Sequence, residues 1–313
     1  MRLRAWQGPE DTAAIQRLAS RCWPLGHHPG GIGWSGATEQ LPAKVTLAVD
    51  SDGGLAGWAG VHGGTITLQA DPVSPAGADA AEGLITWAVA VAEPGELTVE
   101  VFDGDETVRT AVTKAGFVPS PAAALVGGMF RDLDTGLDGS AERASRPDGY
   151  RLRSVRADEK DARVEVHRRA WRPATLPWPG DPPPSVTQET TSRFTAALYA
   201  QVQATWLYDP AFDLVAEAPD GSLAACCIAW WDPAIGCAEI EPVGVVPEHR
   251  RRGLASALCW QVIEQVRAAG GRQVYINIGP NSAYPAPAQT YLAAGFDFVV
   301  RGRLYRRVRV ATS

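Results

Sequence analysis

The sequence predicts a mixed α/β protein built from two copies of one domain. The first observation is an internal echo. Residues 2–24 read RLRAWQGPEDTAAIQRLASRCWP and residues 151–173 read RLRSVRADEKDARVEVHRRAWRP. Both open on Arg-Leu-Arg, pass an acidic turn, run through a helical pattern and end at Trp and Pro. The ends of the halves match too, TKAGFVPS at 113–120 against LAAGFDFV at 292–299. Self-similarity of this kind marks a duplicated unit. The second observation is a set of three apolar runs in the second half, 212–219, 222–231 and 237–246, separated by the turn sequences PDG and DPAIG. Such runs form an antiparallel meander. The third is a change of period after the meander. Leu254, Leu258, Val262 and Val266 recur every four residues and stop at Gly270-Gly271, which is a helix with a glycine stop.

In chain order, the second half begins with a helix over 157–171 with Ala162, Val166 and Ala170 on one stripe. A further helix is expected over 190–205, then the three strands. The periodic helix follows from about 253 to 268, then a strand over 273–278, a short helix around 286–294 and terminal strands. Helices against a mixed sheet follow from this order. The stretch DTGLDGSAERASRPDG at 134–149 is polar and lacks apolar periodicity, so it reads as a linker. The expected division is a domain over 1–137, a linker over 138–149 and a second domain over 150–313.

Composition narrows the function. The 313 residues are 45% hydrophobic and 20% charged with a net charge of −6, a globular and mildly acidic make-up that disfavours general nucleic-acid or anionic-membrane binding. No apolar run approaches the roughly 18 residues of a membrane span, and the N-terminus lacks the apolar core of a signal peptide. The five cysteines show no C-x-x-C spacing, so neither a zinc site nor a disulfide framework is indicated and a reducing cytoplasm is expected. His27 and His28, in LGHHPGG, read as a surface loop, and no metal is expected. Arg301 and Arg303 on the terminal strand read as edge protection.

The sharpest local signal is VVPEHRRRGLASA at 245–257. Arg250, Arg251 and Arg252 run into Gly253, where a strand turns into a helix. The first amides of a helix lack internal partners and its dipole is positive there, so such a turn cradles an anion. Glycine lets backbone come close to a ligand, and arginine forks suit phosphate. A pyrophosphate is the natural guest. Neither a P-loop nor a dinucleotide fingerprint is present.

The pattern Arg250-x-x-Gly253-x-Ala255 after VGVVP resembles the coenzyme A signature of the GNAT superfamily of N-acetyltransferases. AQTYLAAGF at 288–296 resembles the superfamily's LYxxxGF segment, with Thr290 in place of leucine. The likeness covers about 150–308, and tandem-domain members share this length. It implies two tandem acyl-CoA N-acyltransferase-like domains and acetyl-CoA as co-substrate, held between parallel strands 237–246 and 273–278. Backbone groups of Val243, Gly244 and Val245 would meet the pantetheine arm. Amides of Arg250, Arg251, Arg252, Gly253, Leu254, Ala255 and Ser256 would hold the pyrophosphate. Asn281 resembles the asparagine near the pantetheine but stands three residues further from Tyr291 than usual, and Tyr284 takes the usual position.

Two residues are expected to move protons. Glu241, beside Pro242 and Ile240 in AEIEPVGVV, is the general base, since apolar surroundings raise a carboxyl toward neutral pH. Glu239 shares its face. Tyr291 matches the superfamily tyrosine that protonates the coenzyme A sulfur, and a phenol with a pKa of about 10 carries the proton to give. In the first half the matching region, 69–84, has no arginine and carries Asp79 and Glu82, and Val112 stands where Tyr291 does. The first domain is read as a degenerate copy. The expected function is acetyl transfer to a small-molecule or peptide-like primary amine, by a monomer or homodimer. The alternative is a non-catalytic coenzyme A-binding sensor or scaffold.

Overall fold

The computed structural model describes residues 1–121, 125–134, 147–171, 192–278 and 285–309. The elements follow the chain as β1 (Arg2–Ala5), α1 (Pro9–Cys22), α2 (Pro29–Ala37), β2 (Lys44–Val49), β3 (Leu55–His62), β4 (Thr65–Ala70), α3 (Gly77–Val91), β5 (Gly95–Phe102), α4 (Glu106–Lys114), β6 (Val118–Pro119) and β7 (Leu125–Asp132). After them come β8 (Arg151–Ser154), α5 (Lys160–Ala170), α6 (Ala196–Gln203), β9 (Asp213–Glu217), β10 (Leu223–Asp232), β11 (Cys237–Val245), α7 (Leu254–Ala268), β12 (Gln273–Ile276), α8 (Ala286–Ala293) and β13 (Asp297–Arg309). Residues 138–146 of the expected linker lie outside the described residues.

Two compact units form, and they do not divide the chain at a single point. One is Met1–Gly127 with Val300–Ser313, the other Gly128–Val299. The first unit's sheet runs β1-β2-β3-β4-β5-β13, with β4 and β5 parallel and the C-terminal β13 laid antiparallel on β5 from Gly302–Phe102 to Arg309–Gly95. The second unit's sheet runs β7-β12-β11-β10-β9-β8. There β11 and β12 are parallel, and β7, from the first half of the sequence, pairs antiparallel with β12. The last strand of each sequence half has therefore joined the other half's sheet. The reading of 1–137 and 150–313 as separate blocks had no way to see this, because apolar alternation names a strand and not its neighbour.

The echo between the halves is a set of shared local devices. The third residue of each Arg-Leu-Arg pairs with an acid at the following helix: Arg4 with Asp11 at 2.6 Å, and Arg153 with Glu159 at 2.8 Å. Each Ala-Gly-Phe closes a helix. The amide of Phe117 bonds the carbonyl of Val112, and that of Phe296 the carbonyl of Tyr291, each at 3.0 Å. Gly116 and Gly295, at φ 83° and 80°, take the left-handed turn that this closure needs.

In the second unit the sheet lies between two helical layers. Leu254, Leu258, Val262, Ile263 and Val266 of α7 pack on Leu214, Ala216, Ala229, Ala238, Ile240 and Val274. Each large aliphatic side chain buried this way contributes about 1.5–3 kcal/mol. On the opposite face Val166 of α5 meets Val215, Leu223, Cys226 and Val246, as strand alternation requires. Ala162, expected on the buried stripe of α5, is exposed. Arg163, Val164, Val166, His167 and Ala170 face inward instead, because a buried acid stands ready for the arginine.

Two further expectations are corrected. His28 is buried and caps α2, its Nδ1 accepting the Gly30 amide at 3.0 Å, while His27 meets Glu100 at 3.0 Å. Arg301 is buried rather than guarding an edge. It bonds the Gly26 carbonyl at 2.8 Å and lies over the rings of Trp23 and Phe102.

Candidate active site

β11 carries the site because it changes neighbours along its length. Opposite β10, Ile240 faces Ala229 and Val243 faces Cys227. Glu241 and Pro242 thus share Ile228 as partner, a bulge that re-aims the side chains there. The Glu241–Pro242 bond is cis. Toward β12, pairing stops at Glu239–Tyr275, while β11 continues to Val245. Over 241–245 β11 continues with no pairing to β12 among the described residues.

Where this pairing ends stand the two carboxyls. Glu239 is buried opposite Trp230. It is not the solvent-facing carboxylate that strand alternation alone permits. Glu241 lines the partly open side. Burial, and then the Glu239 carboxylate, pushes its pKa up to about 8. The indole of Trp230 donates to the Glu241 carbonyl at 2.6 Å and pins the bulge.

Past Val245 the chain makes the arginine turn. Arg251 and Gly253 both have left-handed backbone, φ 61° and 78°. For Arg251 this costs roughly 1–2 kcal/mol. No side chain caps α7 at Gly253, so the amides of Leu254, Ala255 and Ser256 are left open by helix geometry. A Cβ on Gly253 would meet nothing within 4 Å, and Arg251 and Arg252 are exposed. An uncapped helix start with two exposed guanidiniums fits a pyrophosphate.

Two residues of this stretch also have internal partners. The Arg250 guanidinium turns inward, donating to the carbonyls of Val245 at 3.1 Å and Ala170 at 3.0 Å. It braces the turn against the end of α5. Gly244 faces α5 as well. A Cβ there would fall 2.3 Å from the Trp171 ring and 2.8 Å from the Ala170 Cβ. The glycine makes room for this close approach of α5.

α8 leans on α7. Ser256 Oγ donates to the Thr290 carbonyl at 3.3 Å. Tyr291 is buried in the core that holds Ile240, Leu254 and Leu258, with Val243 and Val245 packed against it, and its ring meets Phe296 edge-on at 6.2 Å. Fold and sequence thus bring Glu241, Val243, Gly244, Val245, the turn and Tyr291 into one unit. Asn281 and Tyr284 lie outside the described residues. No group of metal-ligating side chains is found among the described residues.

The sequence reading missed Arg163. With no exposed surface, it bonds Asp213 at 2.7 Å, and Tyr199 and Tyr208 donate to the same carboxylate at 2.7 and 3.1 Å. Burial works against the Arg163 charge but Asp213 outweighs it, so the guanidinium stays charged. The nearby His167 is pushed down to about 3 by burial and by Arg163 and is neutral. Tyr208 also meets Trp230 at 6.5 Å between ring centroids, linking the network to the Glu241 bulge. One of three arginines in a helix of mixed charge gives no sign of inward placement; its signal was the aspartate that opens β9.

The first unit has the corresponding hairpin, but β4 pairs with β3 in unbroken register, without the bulge of β11. Counted from the hairpin ends Thr65 and Cys237, Gln69 takes the place of Glu241. The Trp58 indole donates to the Gln69 side chain at 3.2 Å. A Cβ on Gly26 would fall 2.1 Å from the Gln69 amide nitrogen, so this unit's own chain covers the position. Glu82 pairs with Lys114, and Val112 is fully buried.

Similar proteins share the fold. Residues 166–290 match the model of the Acetyltransferase (GNAT) family. Among solved structures, a GCN5-related N-acetyltransferase from Sphaerobacter thermophilus is 21% identical with a TM-score of 0.52, covering 99% of this chain and 96% of its own. A tandem GNAT protein from the clavulanic acid biosynthesis pathway is 16% identical with a TM-score of 0.53, covering 100% and 99%. L-PGS from Bacillus licheniformis, 12% identical with a TM-score of 0.53 over 95% and 92%, has the same fold under a different name. No curated protein sequence matches. The chain is a mixed α/β protein that shares its fold with tandem GNAT proteins, and its residues 166–290 are similar to the acetyltransferase (GNAT) family.

Proposed function

We propose that the chain is an acetyl-CoA-dependent N-acetyltransferase that passes the acetyl group directly to a primary amine on a small-molecule or peptide-like acceptor. The observation that carries this reading is the path of β11. It pairs with β12 as far as Glu239, passes a carboxyl with a pKa of about 8, and runs into an uncapped helix start flanked by exposed arginines. Main-chain groups of Val243, Gly244 and Val245 bond the pantetheine arm, and the amides from Arg250 to Ser256, with the side chains of Arg251 and Arg252, hold the phosphates. An amide near Val245 polarises the thioester carbonyl.

In the reaction the amine nitrogen bonds the acetyl carbon and the carbon–sulfur bond breaks. Glu241 takes the proton that the ammonium must lose, directly or through water, and the Tyr291 hydroxyl gives one to the departing sulfur. Glu239, buried beside Glu241, favours a cationic acceptor. The first unit binds no cofactor: Gln69 replaces the base, and Glu82 and Asp79 oppose phosphate. The protein acts in the cytoplasm, without metal.

The test is a panel of primary amines with free coenzyme A thiol as the readout. Turnover with at least one amine, lost in Glu241→Gln, supports the enzyme. Tight acetyl-CoA binding with no thiol release across the panel would support the non-catalytic coenzyme A-binding protein instead.

A further inference from the structure

We infer that Arg131 is a positioning residue for Tyr291, supplied to the acetyltransferase domain by a strand from the first half of the chain. It lies outside the stretch that matches the family, and this inference rests on the role proposed for Tyr291. Arg131 belongs to β7 and stands beside Val274 of β12. Its Nη1 donates to the Gly295 carbonyl at 3.0 Å, its guanidinium lies 5.7 Å from the ring centre of Trp260 on α7, and its Nε is buried without a hydrogen-bond partner. One side chain therefore ties the end of α8 to the flank of α7.

The bond falls where it governs Tyr291. Gly295 is the left-handed residue that closes α8, and within the same turn the Phe296 amide bonds the Tyr291 carbonyl at 3.0 Å. A carbonyl at a helix C-terminus is the negative end of the dipole, which a guanidinium stabilises. The glycine is needed for contact as well as for conformation. A Cβ there would sit 3.2 Å from Nη1 and press the arginine away. The turn at Gly295 and the Thr290 carbonyl are thus each held by a side chain, Arg131 and Ser256, on either side of Tyr291.

The first unit provides an internal comparison. The exchanged strand β13 brings Arg307 over Gly116, the counterpart of Gly295, but its nearest atom is 3.8 Å from the Cβ position. Among the described residues no bond from Arg307 to the Gly116 carbonyl forms. Val112 stands there in place of the tyrosine. The guanidinium-to-carbonyl bond thus occurs in the unit that has a phenol to position.

The experiment uses the full-length chain with Arg131→Met and Arg131→Lys. Hydrogen exchange over residues 290–296 reads the anchor without any need for turnover. Losing a charge-assisted bond should speed exchange there by about ten-fold or more in Arg131→Met, with Arg131→Lys intermediate and the centre of α7 unchanged. Unchanged protection at 290–296 overturns the inference, whatever the activity. The second reading is a double-mutant cycle on thiol release. Arg131→Met should lower turnover by no more than Tyr291→Phe does, leave the acetyl-CoA dissociation constant within about two-fold, and add nothing further in the Tyr291→Phe background. Full additivity would mean that Arg131 acts on general stability, and would overturn the positioning role. A wild type that releases no thiol with any amine overturns the proposed activity and the catalytic part of this inference with it, while the exchange result still decides the anchor.

Discussion

Glu241 has a pKa of about 8 because its carboxyl lies in the β11 bulge among apolar groups and beside Glu239. A base works in its deprotonated form, so activity should rise with pH through about 8. In Glu241→Gln that limb should vanish along with turnover, by roughly 10²–10⁴-fold. The same shift fixes a stability effect. The folded value lies above the ordinary 4.5, so the folded state holds this proton more firmly than the unfolded chain. Its contribution is fully present below pH 4.5 and is lost as pH rises through 8. Glu241→Gln should melt with the wild type at pH 4.5 and above it at pH 8 and beyond. Equal melting temperatures at every pH would show that the carboxyl is not held protonated. Gly244 calls for a different measurement. Gly244→Ala drives a methyl into the Trp171 ring, which costs about 1–3 kcal/mol. Melting should fall in the single variant and recover in part when Trp171→Ala is added.

At the level of elements, the turn from β11 into α7 holds both an uncapped helix start and a brace. Gly253→Ala and Gly253→Glu impose the same left-handed strain, about 1–2 kcal/mol, while glutamate alone adds a negative charge beside the phosphates. Calorimetric titration should therefore show Gly253→Glu losing acetyl-CoA affinity well beyond Gly253→Ala at similar melting temperature. Arg250→Ala should lower the melting temperature too, by about 1.5–3 kcal/mol of stability, since it strips donors from two carbonyls. The motif was legible as a motif: Arg250 to Ala255 named the turn, and Gly270-Gly271 named the end of α7. What each side chain does was not legible. Arg250 and Arg251 are adjacent and identical in the sequence, yet one braces carbonyls while the other is exposed. That difference is set by the position of Ala170, eighty residues away in the chain. The close packing at Gly244 was hidden for the same reason, because the residues that press on it come from the end of α5.

For the whole molecule, the duplication was legible because each copy repeats a complete set of local signals, from the Arg-Leu-Arg strand to the Ala-Gly-Phe turn. The strand exchange was not, because β7 and β13 have the same alternation wherever they pair. Pairing choice is settled by long-range contacts such as Val274 with Arg131 and Tyr305 with Val99. The exchange changes what the separate halves can do. Residues 150–313 on their own lack β7, leaving β12 with an open edge and Gly295 without its guanidinium. Residues 1–137 lack β13, leaving β5 in the same state. Unpaired edges of this kind expose a row of main-chain donors and acceptors and invite aggregation. Neither half should unfold cooperatively when expressed alone, whereas the two expressed together should assemble and bind acetyl-CoA. The intact chain should bind one acetyl-CoA, because the first unit carries Gln69 where the second carries Glu241 and lacks the arginine turn. Calorimetry on the intact chain reads that stoichiometry directly, and thermal melts of the halves read the exchange. A stoichiometry of two would give the first unit a cofactor site after all. A 150–313 fragment that melts cooperatively and binds acetyl-CoA with full affinity would mean that β7 is an accessory to the acetyltransferase domain and not a part of it.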